Sequence, residues 1–476
     1  MTTNSPTHQF TNSPTHQVIV VGAGISGLSA AFELVRRGLR PIVLEASARA
    51  GGLISTDRTA GFTIEAGADS MLAQKPAALR LCEELGLSSE LQGVRPPGGA
   101  FVLRGHRLYP LPRPSRLGIP LTWKGLARYE LLSPSARLRL AFEPFVPADT
   151  EGTDESVASF FARRFGKATV DLIAQPLLGG IHAGAIDRLS MRALFPRLLE
   201  AERRHGSVLR GLRHDAGLSD DRSGPGPAVR GFVALRSGMS GLVDALVRQL
   251  PDGSVRCQHR VERIEVRDAG WYVSTIEHAF RADAVVFAGP AWSAATLLAP
   301  LDDQIGRRCS EVPYVSTASI ALAWPKAAVA HPLAGTGFVV ARRHSDVRIT
   351  ACTWVSSKWS ARAPDDSVLL RAFIGGAHDP SAADLEDEEL VAVGRRDLGA
   401  VLGITAEPAL ARVYRWRNAG PQFTVGHLDR MRVVDDRLTG HPGLFVAGSG
   451  FHAVGIPDCI ADGRAAGERA AAFVKG

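Results

Sequence analysis

Cysteine is scarce and scattered in this chain of 476 residues. Cys82, Cys257, Cys309, Cys352 and Cys459 are odd in number and form no C-x-x-C. They imply neither a disulfide framework nor a zinc site, so no metal is expected and a reducing cytoplasm is the expected setting. No run approaches the ~18 apolar residues of a membrane-crossing helix. The first residues also lack the charged start and apolar core of a signal peptide. Acidic residues are outnumbered by basic ones, 48 to 55, for a net charge of +7. No basic block is dense enough to form a nucleic-acid arm, and no nucleic-acid partner is expected. Arginine far outnumbers lysine. It is the better residue for bidentate carboxylate binding, so the surplus points toward a polyanionic small molecule. A general arginine bias explains it equally well.

What is present is an ordinary globular composition, 45 % hydrophobic and 22 % charged. The length suits two or three domains. Residues 3–9, TNSPTHQ, recur as residues 11–17, and this polar stretch reads as a disordered tail over residues 1–16.

The rest is organised around Val18 to Gly52. Val18–Val21 is a β-branched run suited to a buried parallel strand. Gly22, Gly24 and Gly27 follow as G-x-G-x-x-G, with Ile25 and Ser26 between them, and helical spacing then runs to a stop at Gly38. Pro41–Leu44 gives a second strand closed by Glu45. Gly22 permits the tight turn, Gly24 lets a pyrophosphate approach the backbone, and Gly27 lets helix pack on strand. Phosphates are then held at a helix N-terminus. Glu45, ~20 residues on, can accept hydrogen bonds from a ribose.

Further along, Leu79–Leu87 reads as a helix, and Phe101–Leu103 with Arg107–Tyr109 as a hairpin. Short amphipathic helices such as Ser156–Phe165 and Val170–Leu178 fill the stretch from Trp123 to Arg213, interrupted by GGIHAG at 179–184. His214–Arg230 reads as a flexible loop. Four strand-like runs between Pro313 and Gly376 suggest a mixed sheet with one apolar face flooring a large pocket. Glu388–Leu402 and Ile460–Val474 read as helices, and Gly443–Val446 as a strand.

The stretch after Glu45, with Ala46, Arg49, Gly51 and Gly52, resembles the E-x-x-x-R-x-G-G start of the flavin amine oxidase superfamily, which implies FAD. Three more stretches extend the likeness: GGIHAGAIDRLSMRALFP, ITACTWVSSKW with LLRAFIGGAHD, and PQFTVGHLDR with GLFVAGSGFHAVGIPDCIADG. Together they resemble the bacterial protoporphyrinogen/coproporphyrinogen oxidases from Val18 to Phe473. ITACTW, SSKW and GIPDCI, with Ala100 where many plant and mitochondrial-type relatives carry a substrate-binding arginine, are more similar to the coproporphyrin-forming branch.

The resemblance implies an α/β protein with a Rossmann-like FAD domain assembled from 17–85, 231–300 and 435–476. A mixed-sheet substrate domain then takes 86–110 and 301–434, and a helical domain takes 111–230. Separately from the resemblance, the arginine surplus and the helices between Trp123 and Arg213 suggest that this helical part rests on a membrane surface. The resemblance extends FAD contact to Gly67, Ala68, Asp69, Ser70, Val261, Ala288, Trp416, Gly448, Gly455 and Ile456. Lys75, the Gly180 backbone, Val339, Trp354, Phe373 and Phe423 become candidates for the substrate. No acid–base residue is required, because FAD accepts the electrons and oxygen reoxidises it to give hydrogen peroxide. A ferrochelatase is the implied partner. The chain departs from the family pattern at Ala68 and Met71 (proline and phenylalanine), at His182 and Phe423 (tyrosine) and at Ala185 (aspartate). Three alternatives stay open. They are a protoporphyrinogen oxidase, an amine oxidase or carotenoid desaturase on the same fold, and a flavin-binding scaffold without activity. Against the amine oxidases, whose site is an aromatic cage, aromatics make up only 7 % of the chain.

Overall fold

The computed structural model describes residues 18–149, 152–217, 231–268 and 270–476. The expected tail over 1–16, and the 214–230 loop beyond residue 217, lie outside them. His214 and Asp215, expected in that loop, instead close a helix at Val208–Asp215.

Val18–Val21 is buried along its whole length at the centre of a five-stranded parallel sheet. The strand order is Val255–Arg256, Ile42–Leu44, Val18–Val21, Ala284–Phe287, Leu444–Val446. Its unbroken apolar run follows from burial on both faces. Val18 and Val20 face a core shared with Leu28, Leu34 and Ile460, while Ile19 and Val21 face Trp271, Phe280 and Leu298.

On the first of those faces lie the helices Ile25–Arg36 and Ile456–Lys475. They touch backbone to backbone. A Cβ at Gly463 would fall 2.1 Å from the Ser26 carbonyl oxygen, and one at Gly467 would fall 2.6 Å from that of Ala30. The matching order means the helices run parallel. Arg464 donates to Glu33 at 3.0 and 3.1 Å across the same seam.

A second sheet has seven strands, in the order Leu410–Pro421, Tyr314–Pro325, Ser367–Gly375, Ala351–Trp354, Gly337–Val340, Phe101–Arg104, Arg107–Pro110. It is mixed, because Gly337–Val340 pairs in parallel with Phe101–Arg104 while the other neighbours are antiparallel. The expectation of one apolar face is met, but that face is not the floor of a pocket. Leu103, Ile320, Leu322, Phe338, Cys352 and Leu370 pack beneath the helix Asp387–Leu402, through its Leu390, Val393 and Leu398. The opposite face is mixed, carrying Ser319, Val339, Ala351, Thr353, Arg371 and Phe373. A further correction is local. The stretch after Trp354 leaves the sheet for a helical turn, Val355–Lys358, and the Ser356 hydroxyl accepts from the Leu369 N–H at 3.1 Å.

Between these parts lies a helical segment built on Phe160, Phe161, Phe165, Leu172 and Ile173. Its charged centre is the wholly buried pair Arg164–Glu143, in which Glu143 also accepts from the Ser207 hydroxyl at 2.6 Å and the Val208 N–H at 2.9 Å. The helix expected at Val170–Leu178 is a π-helix, Val170–Gly179, with Pro176 inside it. Proline has no N–H to give to an α-helical ladder, and the wider winding absorbs that loss. No helix among the described residues is long and apolar enough to cross a membrane.

Candidate active site

The glycines after the first strand make a compact cradle. Gly22, at φ 101°, donates its N–H to the Leu44 carbonyl at 2.8 Å and so joins the first two strands. A Cβ on Gly27 would sit 1.9 Å from the Gly22 carbonyl oxygen, so only glycine allows this helix to start so close to the strand. The N-cap is Gly24, with no side chain to satisfy the first-turn N–H groups of Ile25, Ser26 and Gly27. A Cβ on Gly24 would meet nothing within 4 Å. The uncapped, positive end of the helix therefore faces open space.

The second glycine turn closes on the same place. Gly51 bridges to Gly24 and donates to the Ala23 carbonyl at 2.7 Å. Arg49 grips this turn itself, donating to the carbonyls of Ala50, Ile54 and Gly52 at 3.0, 3.0 and 2.7 Å. Glu45 accepts from the Ala23 N–H at 2.8 Å and from the Ser47 N–H and hydroxyl at 2.8 and 2.7 Å. A carboxylate has about four acceptor positions, so capacity is left for a hydroxyl. Ala46 is exposed beside it. His259 donates its N–H to the Glu45 carbonyl at 2.8 Å, which brings Val261, 8 % exposed, to the flank of this turn.

The last helix presents a second uncapped N-terminus, at Gly455 and Ile456. Gly448 lies between the two helices. It donates to Asp462 at 2.6 Å, and its Cβ position is 3.3 Å from the Ser26 hydroxyl. Burial raises the Asp462 carboxyl above its ordinary range. Because the helices are parallel and Gly463 lies level with Ser26, the N-terminus at Ile456 reaches about 10 Å beyond it, at 1.5 Å per residue. Ala288 donates its N–H to the Val21 carbonyl at 2.8 Å and borders the Gly22 turn.

The segment Ala66–Ser70 crosses from this cradle to the second sheet and is held by Arg371 and Trp416. Arg371 donates to the carbonyls of Ala66 and Gly67 at 2.9 and 2.7 Å, and the Trp416 indole donates to Ala66 at 2.8 Å. Gly67 has room only for hydrogen, since a Cβ would fall 1.8 Å from the Leu53 carbonyl oxygen. Ala68 stands half-buried at the core edge. Asp69 accepts from Ser70 at 2.6 Å and pairs with Lys358 at 2.8 Å. That ammonium outweighs desolvation and holds the Asp69 carboxyl well below the usual range. Met71 is buried in a short strand against Val233.

The substrate candidates divide. Val339 and Phe373 are half-buried on the mixed face, both beside Ala351 in register. Trp354 is on the other face, fully buried, its ring 5.4 Å from Phe101 and 5.3 Å from His331. Strand alternation turns it away from Val339 and Phe373, so it does not wall the same space. Phe423 is 3 % exposed and stacks on His427 at 3.7 Å. Gly180 is exposed at the end of the π-helix, with nothing within 4 Å of its Cβ position. Lys75 is paired with Asp458 of the last helix, each about one third exposed. Burial, with the Lys75 charge nearby, pushes the His182 imidazole down to about 4, so it is neutral near pH 7. Its ring packs edge-on against Phe195 at 5.9 Å.

Arg371, Lys358 and Asp462 lie inside the stretches that carry the resemblance, yet none is among the site residues expected from them. For Arg371 a signal exists: a lone cation inside the apolar run SVLLRAFIG asks for a buried partner. Lys358 and Asp462 find theirs only through contacts distant in sequence.

A parallel sheet with a glycine-lined helix end, an acid at the second strand and a second sheet across the crevice defines a dinucleotide-dependent oxidoreductase. The chain belongs to the flavin containing amine oxidoreductase family, which matches residues 25–471. FAD is its cofactor. Similar proteins include the coproporphyrinogen III oxidase of Bacillus subtilis, 34 % identical over 94 % of this chain and 96 % of that one. The coproporphyrinogen III oxidase of Propionibacterium freudenreichii is 35 % identical over 94 % and 89 %. Among solved structures, a provisionally named protoporphyrinogen oxidase from Exiguobacterium sp. 255-15 superposes with a TM-score of 0.84 at 31 % identity, covering 96 % of this chain and 98 % of that one. Putrescine oxidase, 18 % identical with a TM-score of 0.68, shares the fold. The cradle at Gly24, open where a Cβ would stand and edged by uncapped N–H groups, fits a pyrophosphate.

Proposed function

We propose that this protein is an FAD-dependent oxidase that converts coproporphyrinogen III to coproporphyrin III in haem biosynthesis. The substrate loses six electrons and six protons in three two-electron steps, and three molecules of oxygen become three of hydrogen peroxide. The carrying observation is the likeness, at 34 % and 35 % identity over nearly the whole chain, to relatives named for that substrate. When bound, FAD supplies the electron acceptance and its return to oxygen.

The chain's own residues have the tasks of holding and orienting. Gly22, Gly24, Gly27, Gly51 and Gly52 admit the pyrophosphate to the first helix end, and Glu45 takes the ribose. Arg49 acts indirectly, by fixing the second glycine turn. The helix end at Gly455 and Ile456 places positive dipole charge further along the same crevice, where an electron-rich ring would lie. Ala66–Ser70, clamped by Arg371 and Trp416, gives that ring a rigid edge. Val339, Phe373 and the Gly180 backbone border the space for an apolar macrocycle. Keeping donor and acceptor aligned there is enough, since no strong base is demanded. His182, neutral, adds no charge against the macrocycle. The domain limits given above belong to this reading. So do peripheral membrane contact through exposed Leu138, Phe142 and Phe145 beside Arg137 and Arg139, and a ferrochelatase as receiver of the product.

Turnover of coproporphyrinogen III and protoporphyrinogen IX side by side, followed by porphyrin fluorescence, tests the proposal. A higher kcat/KM for coproporphyrinogen III is expected. Equal or reversed preference moves the protein to the protoporphyrinogen branch. FAD that binds but is not bleached anaerobically by either substrate leaves a scaffold.

A further inference from the structure

A small, partly open pocket lies where the end of the π-helix meets the second sheet. Gln175, Gly180, Arg342, Thr350 and His378 line it. Gly180, exposed at that helix end, is part of its lining. Thr350 precedes Ala351, its hydroxyl donates to the Phe373 carbonyl at 3.2 Å, and its carbonyl accepts from the Val340 N–H at 2.9 Å.

Two of the three arginines in this corner are paired, and Asp187 and Asp379 are the carboxylates near it. Arg343 pairs with Asp171 at 3.2 Å, and Arg348 grips Asp379 through two bonds of 2.8 and 3.1 Å. Gln175 is committed to its own loop, donating to the Gly184 carbonyl at 3.1 Å and accepting from the Ile186 N–H at 3.3 Å. Arg342 has no ion pair among the described residues, and its Nη1, shielded from solvent, has no hydrogen-bond partner. A guanidinium nitrogen dried in this way is costly unless something arrives to accept from it. Burial and the two neighbouring arginines lower the His378 imidazole, which leaves it neutral. The fixed positive charge of the cavity is therefore that of Arg342, whose planar fork matches a carboxylate.

We propose that Arg342 anchors a carboxylate arm of the macrocycle and so sets the preference for a tetracarboxylate porphyrinogen over one whose extra arms are vinyl groups. This rests on the porphyrinogen reading above.

The experiment compares the FAD-bound wild type with Arg342→Gln, Arg342→Lys and Arg343→Gln. KM and kcat are measured for coproporphyrinogen III and protoporphyrinogen IX. Wild-type turnover of coproporphyrinogen III is scored first, and its absence refutes the functional reading before any variant is considered. Arg342→Gln is expected to raise KM for coproporphyrinogen III about 10- to 100-fold, the worth of a charged hydrogen bond. The flavin spectrum stays unchanged, kcat stays within about 2-fold, and KM for protoporphyrinogen IX moves far less. Arg342→Lys, which keeps the charge and disturbs packing least, recovers part of the loss, and Arg343→Gln matches wild type. A coproporphyrinogen KM within about 2-fold of wild type in Arg342→Gln, or an equal loss for both substrates, overturns the proposal.

Discussion

Gly463→Ala should separate the two helices that frame the cofactor cradle. In the interior of a helix the change would ordinarily stabilise by about 0.5–1 kcal/mol, through lower backbone entropy in the unfolded chain. Here the new methyl would lie 2.1 Å from the Ser26 carbonyl oxygen and 2.8 Å from its carbon, both backbone atoms that cannot rotate away. Ordinary contact requires over an ångström more, so the helices must part. Overpacking of this kind costs about 1–3 kcal/mol, and the expected net effect is a loss of about 1–2 kcal/mol. The displaced atoms belong to Ser26, in the first turn whose N–H groups face the cradle. FAD affinity should therefore fall with stability. Gly241→Ala is the counterpart, also in a helix, where the nearest atoms are the movable Ser237 hydroxyl at 3.1 Å and a Leu235 methyl at 3.6 Å. That variant should be neutral or slightly stabilised. Urea unfolding of both apoproteins, with flavin fluorescence titration, separates the two cases. A Gly463→Ala protein as stable as wild type, with unaltered FAD affinity, would refute the backbone contact.

Two other outcomes follow from buried charge. His427 is fully buried, and desolvation lowers its imidazole to about 4, against about 6.5 unfolded. Between those values the unfolded chain binds the extra proton, so stability is complete above pH 6.5 and declines as the pH falls toward 4, by up to about 3 kcal/mol. In His427→Gln the slope of unfolding free energy against pH over that window should flatten, and an unchanged slope would show that the site does not titrate. Glu143→Ala leaves the wholly buried Arg164 with Glu202, 3.3 Å away, as its remaining carboxylate, and strips the Ser207 hydroxyl and the Val208 N–H of their acceptor. A loss of about 3–5 kcal/mol is expected by denaturant unfolding, and a loss below about 1 kcal/mol would contradict the buried pair.

Much of the fold is legible in local pattern. Val18–Val21, the glycine turn and the helix after it are specified by neighbours in sequence, and the same holds for the Phe101–Arg104 hairpin with its turn at Gly105. Periodicity predicts the helix at 388–402, and the structure adds one residue, Asp387, because Glu386 and Glu389 form a capping box before it. What local pattern does not carry is which face of a sheet meets which neighbour. Trp354 reads as a pocket wall because its strand is right, yet alternation puts it under Asp387–Leu402. The π-helix is equally hidden, since the apolar spacing over Val170–Leu178 reads as an ordinary helix and nothing local says that the winding must widen around Pro176. In the site, the glycines of the cradle converge because their spacing alone brings them together. Lys358 with Asp69 and Arg342 with its cavity depend on side chains that meet across the fold. The spacing of Gly463 and Gly467, one helical turn apart, is a readable sign of close helix approach.

The seam between the first and last helices also sets a timetable for synthesis. Glu33 and Arg464, which meet across it, are 431 residues apart in the chain. At about 5–20 residues per second, roughly 20 to 90 seconds pass on the ribosome between the emergence of one and of the other. Throughout that interval the backbone of Ser26 and Ala30 has nothing against it, and the Ile456 helix end does not exist. The nascent chain can display a glycine loop, but it cannot retain a dinucleotide in it. Flavin loading is thereby made a late event, and a ribosome that stalls anywhere before Gly463 releases a product without the finished cradle.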